Sequence, residues 1–240
     1  MKCVNPTEAD MAARGVTMPK RGRFIVIDGT DGSGKATQTK MLLQRLEKLG
    51  KKVYVADFPQ YGQKSAGPVE DYLNGLYGTA QQLGAKIPSI FFAVDRFAAS
   101  SKIREHLEKG YTVISNRYVT ANMAHQGGKI LNHKLRAEYF KWLFELEYKF
   151  FGIPKPDVNL ILHVPAKVAQ KLVDKKGPRF YIGSKKRDLH EKDIKHLLAA
   201  ERTYLEISKK FKYPLIECYQ NGVLFTPDQV HQLICKKLKL

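Results

Sequence analysis

Residues 29–35, Gly-Thr-Asp-Gly-Ser-Gly-Lys, carry the strongest chemical signal in this chain. Gly29, Gly34 and Lys35 satisfy G-x-x-x-x-G-K, the pattern of a loop that wraps phosphate oxygens. Glycines at 29, 32 and 34 admit backbone angles that a Cβ would block. Successive N–H groups can then turn inward, at the positive end of the helix that follows. Lys35 adds a point charge for the outer phosphates. A nucleoside triphosphate is the implied ligand, held by Gly29, Thr30, Asp31, Gly32, Ser33, Gly34, Lys35, Ala36 and Thr37. One position departs from the pattern. Residue 36 should carry the hydroxyl that binds magnesium, and it is Ala36.

A second group of residues suits a phosphate-bearing acceptor. Phe92 and Arg96 are four apart and so share a helix face. There an aromatic ring can stack on a base while a guanidinium donates to the base edge. Taken singly, Phe92 also fits a core position and Arg96 a surface ion pair. Arg117 follows a strand, where its guanidinium can grip a monophosphate through two parallel hydrogen bonds. The chain has no Asn-Lys-x-Asp guanine-reading motif and no hydrophobic strand ending in Asp-Glu.

These residues need elements that bring them together. Strand patterns at 24–28, 52–56, 111–115, 158–164 and 215–218 alternate with helical ones at 35–49, 69–76, 89–109, 120–126, 134–151, 166–174, 191–211 and 227–237. The alternation predicts an α/β fold with a parallel sheet. Trp142, Leu143, Leu146 and Phe150 recur at helical spacing and read as core. Ligands of open α/β sheets sit at the carboxyl ends of the strands. Asp28-Gly29, Asp57-Phe58-Pro59 and Asn116-Arg117 are therefore expected to face one crevice.

Length and composition set the outer bounds. The 240 residues suit one domain, spanning 21–240, with residues 1–20 as a flexible extension and Met18 as an alternative start. No apolar run approaches the roughly 20 residues of a membrane helix. Cys3, Cys218 and Cys235 are scattered without zinc-ligand spacing and suit a reducing cytoplasm. The net charge of +18 raises a nucleic-acid partner as a reading. The basic residues are spread out, however, without the aromatic interleaving of a nucleic-acid module, which favours a lysine-rich surface around phosphate-rich small ligands.

Five segments in order resemble the thymidylate kinases, a family of P-loop nucleoside-monophosphate kinases. They are residues 29–35; Phe58-Pro59; Phe91-Phe92-Ala93-Val94-Asp95-Arg96; Asn116-Arg117-Tyr118 with His125-Gln126-Gly127; and the basic, glycine-punctuated stretch 175–187. The resemblance runs from about Arg23 to the C-terminus. It implies a P-loop NTPase fold, a five-stranded parallel sheet flanked by helices, with a mobile basic lid at about 175–188. It implies transfer of a phosphoryl group from ATP to dTMP, giving dTDP and ADP, with Mg2+ as the companion ion. Lys35, Asp31, Arg117, Arg179 and Arg187 would serve the transfer, with Lys185 and Lys186 as further lid cations. Phe58, Pro59, Phe92, Asp95, Arg96, Arg117, His125 and Gln126 would bind the acceptor, with His125 beside the sugar. A homodimer is expected by the same analogy. The alternatives are another acceptor, such as dUMP, or a non-catalytic nucleotide- or nucleic-acid-binding protein.

Three positions depart from the family pattern. Ala36 lacks the magnesium hydroxyl, Asn116 replaces a carboxylate, and Tyr61 stands where many members place an Arg. The expectation is a weakened protein contribution to the metal, with Thr37 and Asn116 acting through water and Asp31 and Asp95 as further helpers.

Overall fold

A computed structural model describes residues 20–174 and 194–240. Strand β1, Phe24–Gly29, is buried at every position. It has no polar face because helices cover both sides of a parallel sheet. Its side chains alternate between two cores. Phe24 and Val26 join one with Ile103, Leu143 and Ile207. Ile25 and Ile27 join the other with Leu42, Leu46 and Ile234. The other strands are β2 (Val53–Asp57), β3 (Thr112–Asn116), β4 (Val158–His163) and β5 (Leu215–Glu217). All neighbours pair in parallel, in the order β2-β3-β1-β4-β5. This is the expected α/β architecture.

Register lines up the strand ends that were expected to meet. Asn116 pairs with Ile27 on one side and with Asp57 on the other. Gly29 pairs with Leu162 of β4. Asp57, Asn116 and Asp28 thus finish on one edge of the sheet.

The helices are α1 (Lys35–Lys48), α2 (Gly67–Asn74), α3 (Lys86–Glu108), α4 (Val119–His125), α5 (His133–Phe144), α6 (Ala166–Asp174), α7 (Ile194–Phe211) and α8 (Pro227–Leu238). Helix α3 starts three residues earlier than expected, and Pro88 fits because a first turn needs no N–H there. Helix α8 opens with a capping box between Thr226 and Gln229. A short antiparallel hairpin, Tyr219–Gln220 with Val223–Leu224, adds to the strands expected from the sequence.

One expected helix changes character. Beyond α5 the chain winds in wider π turns over Glu145–Phe150. Each residue then advances by less than the usual angle, so the apolar stripe slips round the axis. Leu143 is fully buried as expected, but Phe150 is 81% exposed, and Glu147 turns inward with 0% exposure. Residues 1–19 of the extension expected at 1–20, and the lid expected at about 175–188 with Arg179, Lys185, Lys186 and Arg187, lie outside the described residues.

Candidate active site

The loop between β1 and α1 has the backbone its glycines predict. Gly29, Gly32 and Gly34 have φ of 142°, 86° and 90°. A Cβ on Gly29 would stand 2.4 Å from Leu162 O, and one on Gly32 2.2 Å from Ala169 O. Lys35 is buried; its Nζ donates to Gly29 O at 3.0 Å and Thr30 O at 2.8 Å. Thr30 Oγ1 and Ser33 Oγ are buried without a hydrogen-bond partner, which suits hydroxyls that await phosphate oxygens. Behind the loop, buried Asp28 accepts hydrogen bonds from Tyr204 Oη of α7 (2.6 Å) and Gly29 N (2.9 Å). Burial raises the Asp28 pKa, against the pull of Arg117, Tyr204 and Lys35.

A cleft of about 540 Å³, including its open mouth, adjoins the loop. Asp31, Phe58, Pro59, Phe92, Arg96, Arg117, His125 and Gln126 all line it, so the structure gathers most of the expected site. Tyr61, Leu73, Ala121 and Asn122 complete the wall. Gln126 is 1% exposed, and both atoms of its amide lack hydrogen-bond partners. An amide buried this way costs stability unless a ligand edge meets it.

Arg117 has φ 65°, the left-handed region that a side chain rarely adopts. Its N–H donates to Ile27 O at 3.0 Å, holding it beside β1. Its guanidinium is ion-paired with Asp31. Burial alone would lower the Arg117 pKa, but Asp31, Tyr204 and Asp28 outweigh it and keep the cation charged. Arg117 Nη1 also lies 3.3 Å from His125 Nε2. An arginine only donates, so Nε2 accepts, and Nδ1–H is left to donate to His196 Nε2 at 3.3 Å. Burial and the Arg117 charge hold the His125 pKa well below its ordinary value, so the imidazole is neutral.

Arg96 is not a surface ion pair. It is 2% exposed and bound side-on by Glu147, with Nε to Oε2 at 2.5 Å and Nη2 to Oε1 at 2.7 Å. Nη1 stands outside that fork. Asp95 does not line the cleft. Its carboxylate accepts from Gln60 N (2.9 Å), Gln60 Nε2 (3.1 Å) and Ser65 Oγ (2.7 Å), which braces the loop after β2. Asn116 Nδ2 donates to Asp57 Oδ1 at 2.7 Å, and Thr37 is exposed.

Glu147, His196 and Tyr204 join the site without any sequence signal, since no local pattern marks a single Glu, His or Tyr. Asp57 is expected at the crevice, but nothing in its sequence context assigns it a role. The described residues contain no group of three or more His, Cys, Asp or Glu arranged to hold a metal.

A family model described as thymidylate kinase matches residues 27–221. Thymidylate kinase of Mycobacterium tuberculosis (strain ATCC 25618 / H37Rv) is 29% identical over 188 residues, covering 77% of this chain and 85% of that one. The probable thymidylate kinase of Pyrococcus abyssi is 30% identical over 224 residues, covering 91% and 97%. The solved structure of thymidylate kinase from Candida albicans matches with a TM-score of 0.69 over 91% of this chain and 92% of that one. At 22% identity that last match is a likeness of fold.

Proposed function

The chain belongs to the thymidylate kinase family, and from that membership we infer that its cleft is where dTMP receives a phosphoryl group from ATP. The observation that carries this reading is Asp31, which touches both halves of the site. Its carboxylate lies 3.9 Å from Lys35 Nζ in the triphosphate loop and is paired with Arg117 in the acceptor cleft.

The acceptor phosphate is already nucleophilic, so the protein's work is positioning and charge neutralisation. Lys35 and the loop amides bind the ATP phosphates, and the exposed Thr37 joins them. Arg117 clamps the acceptor phosphate, exchanging Asp31 for phosphate oxygens. Phe92 stacks on thymine, and Arg96 Nη1 and the Gln126 amide meet the base edge. The neutral ring of His125 lies against the sugar. Arg179 and Arg187 close over the phosphates, an assignment that rests on the family resemblance.

A magnesium ion bound with ATP would supply charge neutralisation on the outer phosphates. Asn116 fits a role toward it, because Asn116 Oδ1 is buried without a partner. Thr37 fits less well as a stand-in for the missing hydroxyl, being turned about 100° round α1 from position 36.

A homodimer is part of the same reading. Ile87, Ile90, Val94 and Phe97 form an exposed stripe along one face of α3, at 46%, 41%, 40% and 50% exposure. A second copy would cover it. Cytoplasmic residence also follows from the family. Among the described residues no helix is long and apolar enough to cross a membrane.

The test is a coupled ADP-release assay across nucleoside monophosphates. Turnover with dTMP ahead of dUMP and the other acceptors is expected. Preference for another acceptor would overturn the thymidine assignment, and no turnover with any of them would overturn the kinase reading.

A further inference from the structure

We propose that Asp57, from the strand next to the usual one, supplies the carboxylate that holds the hydrated magnesium ion of the nucleotide, with Asn116 orienting that carboxylate and offering its own amide oxygen to the same water shell. This rests on the kinase reading above.

The two residues end neighbouring strands and are register partners. Asn116 Nδ2 donates to Asp57 Oδ1 at 2.7 Å. That bond decides the orientation of the amide, since only its NH2 end can face a carboxylate. Asn116 Oδ1 must therefore point away from Asp57, and it is buried with no hydrogen-bond partner. A buried amide oxygen in that state calls for a bound water or an ion as its partner.

The pairing also explains why residue 116 is not an acid here. An Asp at 116 would press a second carboxylate against Asp57 at hydrogen-bond distance, and like charges so close cannot both ionise cheaply. The pair accommodates one carboxylate and one amide, and this chain carries the carboxylate on β2. Asp57 ends β2 in register with Asn116 and with Ile27 of β1, at the sheet edge from which the triphosphate loop leaves, and it is exposed there.

Chemistry favours the ion's water shell as the point of contact. Asp57 lies one strand further from the loop than residue 116, a step of about 4.8 Å. Magnesium gives up water reluctantly and takes few protein ligands directly. With Ala36 offering no hydroxyl, a carboxylate and an amide oxygen acting on bound waters replace the missing contact.

The test uses Mn2+ as the probe and the EPR signal of free Mn2+ as the readout, on full-length enzyme saturated with ADP. Asp57→Asn should weaken Mn2+ binding in that complex about 10- to 100-fold, the usual effect of removing an outer-shell partner. ADP affinity in EDTA should stay unchanged. The exchange variant Asp57→Asn/Asn116→Asp keeps one acid and one amide in the pair and should restore Mn2+ binding. Wild-type Mn2+ affinity in Asp57→Asn would overturn the proposal. So would an equal loss of ADP affinity in EDTA, or an exchange variant that folds without recovering Mn2+. Should Asp57→Asn fail to fold, Asp57→Ser in the same assay decides, with wild-type Mn2+ affinity overturning the proposal. The kinase reading fails separately, on wild-type enzyme that neither binds ADP nor phosphorylates any monophosphate.

Discussion

Replacing Glu147 by Leu should destabilise this protein severely, although Glu147 does not itself line the acceptor cleft. Glu147 is fully buried, and Arg96 is 2% exposed. Two hydrogen bonds, at 2.5 and 2.7 Å, join the carboxylate to Nε and Nη2. Burial alone would lower the Arg96 pKa, yet Glu147 outweighs it, so the arginine is charged in the folded protein. Leu at 147 leaves that charge buried and unpaired, at a cost of about 3–5 kcal/mol. For a protein of this size the corresponding fall in Tm is roughly 6–20 °C. Removing both charges is a different perturbation. Arg96→Met/Glu147→Leu exchanges a buried ion pair for apolar packing and should recover most of the loss. It should not recover dTMP binding, because Arg96 lines the cleft. Urea unfolding followed by circular dichroism gives the stabilities, and calorimetric titration with dTMP gives the affinity. A Glu147→Leu protein within about 1 kcal/mol of wild type would refute the buried-pair reasoning. A stable double variant that binds dTMP normally would refute the role of Arg96.

Three other outcomes are expected. Gln126→Leu should stabilise the free protein by about 1 kcal/mol, because it removes two buried unpaired polar atoms, while weakening dTMP binding about tenfold; unfolding and titration on one sample check both signs. His163 bonds Glu201 at 3.0 Å and Glu217 at 2.6 Å, and the Glu201 bond, followed by Glu217, holds its pKa above the ordinary value. A raised folded pKa contributes stability fully below the unfolded value of about 6.5 and loses it as pH rises through the folded pKa. The Tm gap between wild type and His163→Gln should therefore be wide at acidic pH and shrink toward alkaline pH, and a gap independent of pH would count against it. Phe97→Asp puts a charge on the exposed stripe of α3 and should yield monomers in sedimentation velocity; an unchanged dimer would place the interface elsewhere.

Much of this protein is legible in its residues alone. The triphosphate loop is a local object, since three glycines and a lysine at set spacing dictate their own backbone and the helix start that follows. The alternation of strand and helix patterns specifies the α/β fold, and the rule that ligands gather at strand ends brings Phe58, Arg117 and the loop to one crevice. Periodicity fails where winding changes. The stripe through Phe150 assumes an even turn, and the π segment rotates Phe150 outward and Glu147 inward. What tertiary structure alone decides is the choice of partner for charged and polar side chains. Arg96 takes a carboxylate 51 residues away, His125 meets a histidine 71 residues away, and Asn116 leans on an aspartate 59 residues back. Asp95, adjacent to a site residue in sequence, serves a loop instead. Residue type and spacing determine what a short segment can become, because backbone conformation is set within a few residues. Strand register and helix packing determine which distant groups share a buried space, and the cost of burying a charge or a polar atom then selects the pairs.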